Sequence, residues 1–174
     1  MSSRLAVTAL LAIMLAGCSG GKENVMTSFM LKSSAFDDGQ RIPERFSCDG
    51  DDRPPPLSWS NPPSGTRSFA LVVDDPDAPN GTFRHWAAWN IPPQTATLEE
   101  DSKVPQARND FGNSGYGGPC PPRGHGQHRY RFKLYALDTD DLGLSPGTPV
   151  EEVERLAEEH QLGKAELTGT YERS

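Results

Sequence analysis

The sequence is short of several features that would have placed it in large structural classes. Its 174 residues hold only three cysteines, Cys18, Cys48 and Cys120, too few for a small scaffold stapled by disulfides in place of a core. Basic residues are in deficit: 17 Lys and Arg stand against 24 Asp and Glu, for a formal charge of −7. That balance excludes a general electrostatic patch for nucleic-acid backbones or anionic lipid, so no nucleic-acid partner is expected and any anion site must be local. No apolar run reaches the roughly 20 residues of a bilayer-spanning helix. No internal repeat, heptad or second domain is visible, and 16 prolines and 17 glycines cut the chain into segments too short for a helical bundle.

What is present begins with an apolar run, Leu5 to Leu15, preceded by Arg4. Its length suits the core of a signal peptide. It ends in Leu15-Ala16-Gly17-Cys18, which resembles a bacterial lipobox. Small residues there permit cleavage before Cys18, whose thiol would carry the lipid. An ordinary secretory signal or a retained short anchor is the alternative. The expected organisation is a signal peptide over 1–17, a flexible tether over 18–28 containing Ser19-Gly20-Gly21-Lys22-Glu23-Asn24, and one domain over 29–174. The protein is then expected in the bacterial envelope, lipid-anchored and extracytoplasmic, on the outer membrane facing the periplasm if the cell is Gram-negative. With Cys18 assigned to lipid, Cys48 and Cys120 remain as an even pair, either a disulfide or two buried thiols.

Strand-like segments dominate the domain: Phe29 to Phe36, Pro56 to Ser60, Ser68 to Asp74, His85 to Ile91 and Tyr130 to Asp138, with Ala165 to Tyr171 at the end. Ala70-Leu71-Val72-Val73 reads as a central strand covered on both faces. The alternation around Phe132, Leu134 and Ala136 predicts a half-buried strand with charged residues outward. One helix is expected, with Thr148 as N-cap, Pro149 at its first position, Glu151 closing a capping box, Val150, Val153, Leu156 and Ala157 inward, and Gly163 as its stop. Gln40 to Pro54 and about Pro92 to Gln127 are long irregular stretches, of the kind that carry function or local structure. A mainly β fold follows, a β-sandwich with one or two peripheral helices.

Three groups of residues could carry chemistry. Asp74-Asp75-Pro76-Asp77-Ala78-Pro79 follows the buried strand as a proline-stiffened turn. His85-Trp86 begins the next strand, where His85 could pair with Asp75 and present an N–H to an anion. Gly115 to Pro122 forms a glycine-proline loop able to offer backbone amides as an anion nest, and His128, Arg129 and Tyr130 follow. His128 and Tyr130 would add donors, while Arg129 would pair with a carboxylate such as Asp77. Asp75, His85 and His128 could also serve a hydrolase or a metal-dependent enzyme. However, no serine nucleophile stands beside a base in these motifs and no His-x-x-x-His spacing occurs, so neither catalysis, a cofactor nor a metal is expected.

Pro54-Pro55-Pro56-Leu57-Ser58-Trp59, the segment from Ser68 to Pro79, His85-Trp86, Asn109-Asp110-Phe111-Gly112, the glycine-proline loop and His128-Arg129-Tyr130 occur in the order found in the phosphatidylethanolamine-binding protein family. From about Phe29 to Arg173 the chain resembles that family, in particular its bacterial Raf kinase inhibitor-like subgroup. The resemblance implies a Greek-key β-sandwich with a small surface cavity for phosphate, phosphorylethanolamine or a similar anion. It implies Asp75 and Pro79 on one wall, His85 at the base, and Cys120, Pro121, Pro122, His128 and Tyr130 opposite. An amide in the 118–120 segment, including Gly118, would donate to the ligand, and Asp77, Trp86 and Arg129 would support the site. Bacterial members form homodimers, which makes a second copy one implied partner; a protein target is not identified. An envelope interaction protein or protease inhibitor with an unused cavity is the non-binding alternative.

Overall fold

The computed structural model describes residues 28–174. The signal peptide over 1–17, Cys18 and all of the tether except Ser28 lie outside the described residues. A sandwich of two antiparallel sheets makes up the domain. One sheet has the order β1 (Met30–Ser33), β2 (Leu57–Ser60), β5 (Thr97–Leu98); the other has the order β4 (Phe83–Ile91), β3 (Ser68–Asp75), β6 (His128–Leu137), β7 (Gln161–Tyr171). One α-helix, α1 (Val150–His160), and a single 3-10 turn at Glu44–Phe46 complete the regular elements among the described residues.

The four-stranded sheet is covered on both faces, and β3 shows why its sequence is continuously apolar. Phe69, Leu71 and Val73 point into the core between the sheets, joined by Phe132, Leu134, Ala136, Leu57 and Trp59. Ala70 and Val72 point the other way, to a second core with Val150, Val153 and Ala157 of α1. The same cover corrects the expectation for β6. Phe132, Leu134 and Ala136 do face the main core, but the opposite face is not solvated: Tyr135 is buried under α1, and Lys133 is only 5% exposed. Lys133 donates to Asp74 Oδ2 at 2.7 Å and also contacts Glu154 of α1. Arg131 donates to both oxygens of Asp74, at 2.8 and 2.9 Å. The charged stripe is thus a buried network between sheet and helix.

Several boundaries differ from the sequence expectation for local reasons. β1 stops at Ser33, whose hydroxyl donates to the Pro56 carbonyl and accepts from the Ala35 amide, so that Phe36 turns into the core. Thr148 does not cap α1: its hydroxyl donates to the Ser145 carbonyl, and no side chain caps the helix. Backbone bonds to Arg108 replace the cap, from the Arg108 amide to the Thr148 carbonyl and from the Val150 amide to the Arg108 carbonyl. Gly163 does not stop α1 either. The helix ends at His160 and β7 begins at once, with Gly163 inside the strand where a Cβ would come within 2.8 Å of Pro63 Cγ. β5 escaped notice in sequence because two residues carry no period.

Removing Asp74 should test the buried network. The carboxylate is 1% exposed and holds two cations, so Asp74→Ala leaves charge buried with less compensation and is expected to cost about 3–5 kcal/mol in urea unfolding. A loss below about 1 kcal/mol would mean that the network contributes little to the packing of α1.

Candidate functional site

The site grows from the turn end of the β3–β4 hairpin. Asp75 closes β3, and its Oδ1 accepts the Asp77 amide at 2.8 Å, which sets the turn that follows. Asp77 in turn accepts from Arg129, from its amide and Nε at 2.9 Å and its Nη2 at 2.7 Å. Those bonds to Arg129 hold the Asp77 carboxyl down at about 2. The pairing ties the turn to the first residues of β6.

β4 carries a bulge at the point that matters. Val73 pairs with Trp86 and Asp74 with Arg84, so His85 is the extra residue between two pairs. Strict alternation would place His85 with Ala87 and Trp89 on the helix side; the bulge turns it to the sandwich side, beside Tyr130, whose ring meets it edge-on at 5.2 Å. His85 Nδ1 donates to the Gly117 carbonyl at 2.7 Å, and the Gly117 amide donates back to the His85 carbonyl at 3.0 Å. The expected pairing of His85 with Asp75 is not made, because Asp75 Oδ2 accepts instead from His128 Nδ1 at 2.7 Å. The remaining nitrogen of His128 meets His125 Nδ1 at 2.7 Å. Both His128 nitrogens are therefore engaged within the protein, and the donor expected of it is not available to a ligand. Burial pushes His85 below its ordinary value, so the ring is neutral at pH 7.

Asp75, Ala78, Pro79, Asn80, Phe83, His85, Phe111, Cys120, Pro121, Pro122 and His128 line a cavity of about 230 Å³. Seven residues expected at the site thus surround one space. Two others do not line it. Gly118 packs against the 3-10 turn: a Cβ there would come within 2.5 Å of the Phe46 carbonyl, and its amide donates to Asp52 Oδ1 at 2.7 Å. Its lack of a side chain serves packing, not an anion nest. Tyr130 lies just behind the wall, 1% exposed, and its hydroxyl has no partner among the described residues. Burial and the neighbouring Asp75 carboxylate push that hydroxyl far above its ordinary value, so it stays an O–H donor. The Cys120 amide stands close to it. Pro119 has no N–H, Gly118 has spent its own on Asp52, and the Cys120 amide is directed at the Tyr130 hydroxyl. Trp86 faces away, its Nε1 donating to Gln106 Oε1 at 2.9 Å.

Phe83 and Phe111 were missed in sequence as site residues. Their rings meet at 4.7 Å and both contact the His85 ring. Phe111 is 45% exposed, and an aromatic within Asn109-Asp110-Phe111-Gly112 in a long irregular stretch was the available signal. The loop that carries it is held by side chains: Asn109 Nδ2 donates to the Gly115 carbonyl, its Oδ1 accepts the Asn113 amide, and the Tyr116 hydroxyl donates to the Phe46 carbonyl. Cys120 is joined to Cys48 by a disulfide, their Cα atoms 5.5 Å apart. Arg173 completes the seam by donating to Asp49 and to Cys120 Sγ. A further cavity of about 220 Å³, between Asp52, Glu99, Glu100, Gln106 and Tyr116, lies on the Trp86 side of the loop and has none of these convergent groups. Among the described residues no cluster of three or more His, Cys, Asp or Glu could hold a metal, and no helix is long and apolar enough to cross a membrane.

Residues 32–172 match the model of a phosphatidylethanolamine-binding protein family. UPF0098 protein PH1269 of Pyrococcus horikoshii is 47% identical, over 96% of this chain and 87% of that protein. LppC of Mycobacterium tuberculosis, which carries a lipoprotein name, is 44% identical over 82% of this chain and 71% of its own length. The crystal structure of Escherichia coli YbcL, described as a new member of the mammalian PEBP family, superimposes with a TM-score of 0.81 at 32% identity, covering 85% of this chain and all of YbcL.

The disulfide bridges a sequence separation of 72 residues, for which loop-closure entropy gives about 4 kcal/mol. A Cys48→Ser/Cys120→Ser chain is expected to lose about that much in denaturant unfolding. A difference under about 1 kcal/mol would mean that the seam is held by the Arg173 and Tyr116 contacts instead.

Proposed function

This chain belongs to the phosphatidylethanolamine-binding protein family, and from that premise we propose that it is a non-enzymatic binding protein for a small anionic ligand of the phosphate or phosphorylethanolamine kind, held on the envelope by lipid at Cys18. The observation that carries the ligand reading is the convergence of His85, Asp75, His128 and Cys120 with apolar side chains on one small cavity, the Tyr130 hydroxyl lying just behind its wall beside Asp75 and the Cys120 amide. A concave, largely apolar pocket with a few convergent polar groups is suited to a small polar ligand. The chain's charge of −7 makes this local provision necessary.

The cavity is otherwise largely apolar, rimmed by Ala78, Pro79, Phe83, Phe111, Pro121 and Pro122. Low-dielectric walls of that kind strengthen the few polar contacts inside. The Asp75–His128–His125 chain is the one arrangement that favours a hydrolytic reading. Against it, both His128 nitrogens are occupied, and Cys120 is in a disulfide rather than a free nucleophile. The resemblance in sequence to LppC, with its lipoprotein name, supports the tether.

Calorimetric titration of the purified chain with phosphate and with phosphorylethanolamine tests the ligand reading. Binding is expected, and Tyr130→Phe and His85→Ala should each weaken it about tenfold, the worth of one hydrogen bond to a charged group. No binding by the unaltered chain, or full binding by both variants, would overturn the pocket assignment. For the anchor, the unaltered chain should fractionate with membranes and a Cys18→Ala chain should be released. Continued membrane association of that variant would count against lipidation at Cys18.

A further inference from the structure

The surroundings of the bridge between Cys48 and Cys120 are asymmetric. Both cysteines are part-exposed, and Cys120 stands on the wall of the cavity. Arg173 lies against one of the two sulfurs. Its Nε and Nη2 are taken by Asp49, at 2.9 and 2.8 Å, which leaves Nη1 to donate to Cys120 Sγ at 3.4 Å. Asp49 also accepts from the Tyr171 hydroxyl at 3.1 Å, so the guanidinium is anchored beside the sulfur. A cation next to a sulfur favours its thiolate, and in thiol–disulfide exchange the sulfur that better carries that charge leaves more readily.

The two segments joined by the bridge are also held together without it. The Cys48 amide donates to the Pro119 carbonyl at 3.2 Å, the Gly118 amide to Asp52 Oδ1 at 2.7 Å and the Tyr116 hydroxyl to the Phe46 carbonyl at 2.7 Å. Breaking the S–S bond leaves these contacts in place, so the sulfurs stay opposed and the bond can form again. We infer that Cys48–Cys120 is a site of reversible thiol exchange with a dithiol reductant, in which Cys48 is the sulfur attacked and Cys120 the sulfur released. Arg173 sets that direction by stabilising the leaving thiolate.

One thiolate of the dithiol forms a bond to Cys48 Sγ, and the Cys48–Cys120 bond breaks with its electron pair on Cys120 Sγ, where Arg173 Nη1 meets the new charge. The second thiol of the reductant, as thiolate, then attacks its own first sulfur in the mixed disulfide and releases Cys48, which takes up a proton. Two electrons have passed to the protein, the reductant leaves as a disulfide, and its other thiol proton goes to solvent. The product carries a thiolate on the cavity wall, so the thiol state of the surroundings is converted into a charge at that wall. This chemistry needs no ligand in the cavity and stands or falls separately from the anion reading.

Glutathione and dithiothreitol, applied to the purified full chain, test the exchange, with iodoacetamide trapping and peptide mapping that read Cys18 apart from the other two cysteines. Glutathione, a monothiol, should leave its adduct on Cys48 and the alkyl label on Cys120. Dithiothreitol should open the bridge while the circular dichroism of the folded chain is retained, and its removal in air should restore the bridge. Arg173→Gln should slow the opening about fivefold, whereas Asp49→Asn, which keeps the cation, should not slow it. A seam merely loosened by these substitutions would open faster in both. Resistance to dithiothreitol, opening only with loss of the folded signal, an adduct on Cys120, or equal or faster opening in Arg173→Gln would overturn the inference. The adduct is located on the unaltered chain, so it decides the matter even where a variant fails to fold.

Discussion

The two-way bond between His85 and Gly117 is the contact on which the pocket depends. A carbonyl that accepts from the ring and an amide that donates to the same residue's backbone fix three things at once: the path of the long loop, the orientation of the imidazole and the nitrogen that carries its proton. Without the bulge that turns His85 toward the sandwich side, neither bond would be in reach. Without the loop held by Asn109, Tyr116 and the Cys48–Cys120 bridge, there would be no carbonyl at that position to accept. The site is thus a joint product of one strand irregularity and one heavily restrained loop.

The rest of the fold supplies rigidity beneath that joint. A sheet covered on both faces cannot shift register without moving an entire apolar face into the wrong core, so the ends of β3, β4 and β6 are fixed relative to one another. The network of Asp74, Arg131, Lys133 and Glu154 lies on the helix side of the same strands, directly behind Asp75 and His85 in sequence but on the opposite face. Adjacent aspartates thereby take separate tasks: Asp74 holds cations under α1, and Asp75 orients His128 at the cavity. Alternation along a strand is the reason that neighbours in sequence can serve different faces.

Family membership and local geometry carry different parts of the functional argument. The family match covers nearly all the described domain and establishes a binding protein of the phosphatidylethanolamine-binding type. Which ligand chemistry suits this chain is a matter of donors and acceptors, and these are set by the partners of His85, His128, Tyr130 and Cys120 rather than by the presence of those residue types. His128 illustrates the point. As a histidine in the right motif it was an expected donor, yet its partners leave it no N–H to offer.

Much of the molecule was legible in the residues alone. The continuous apolar run of β3 required cover on both faces, the apolar spacing from Val150 required α1, and the motif order identified the family and seven of the residues that line the cavity. These are properties of local pattern, and pattern is what a linear sequence records. The second face of β6, the role of Gly118 as a packing contact, the pairing of Asp75 with His128 and the lone pair on His85 were decided only by the tertiary structure. Each depends on which group from a distant segment arrives at hydrogen-bonding or van der Waals distance, and a single inserted residue in β4 is enough to reverse the face on which a period of two would have placed His85.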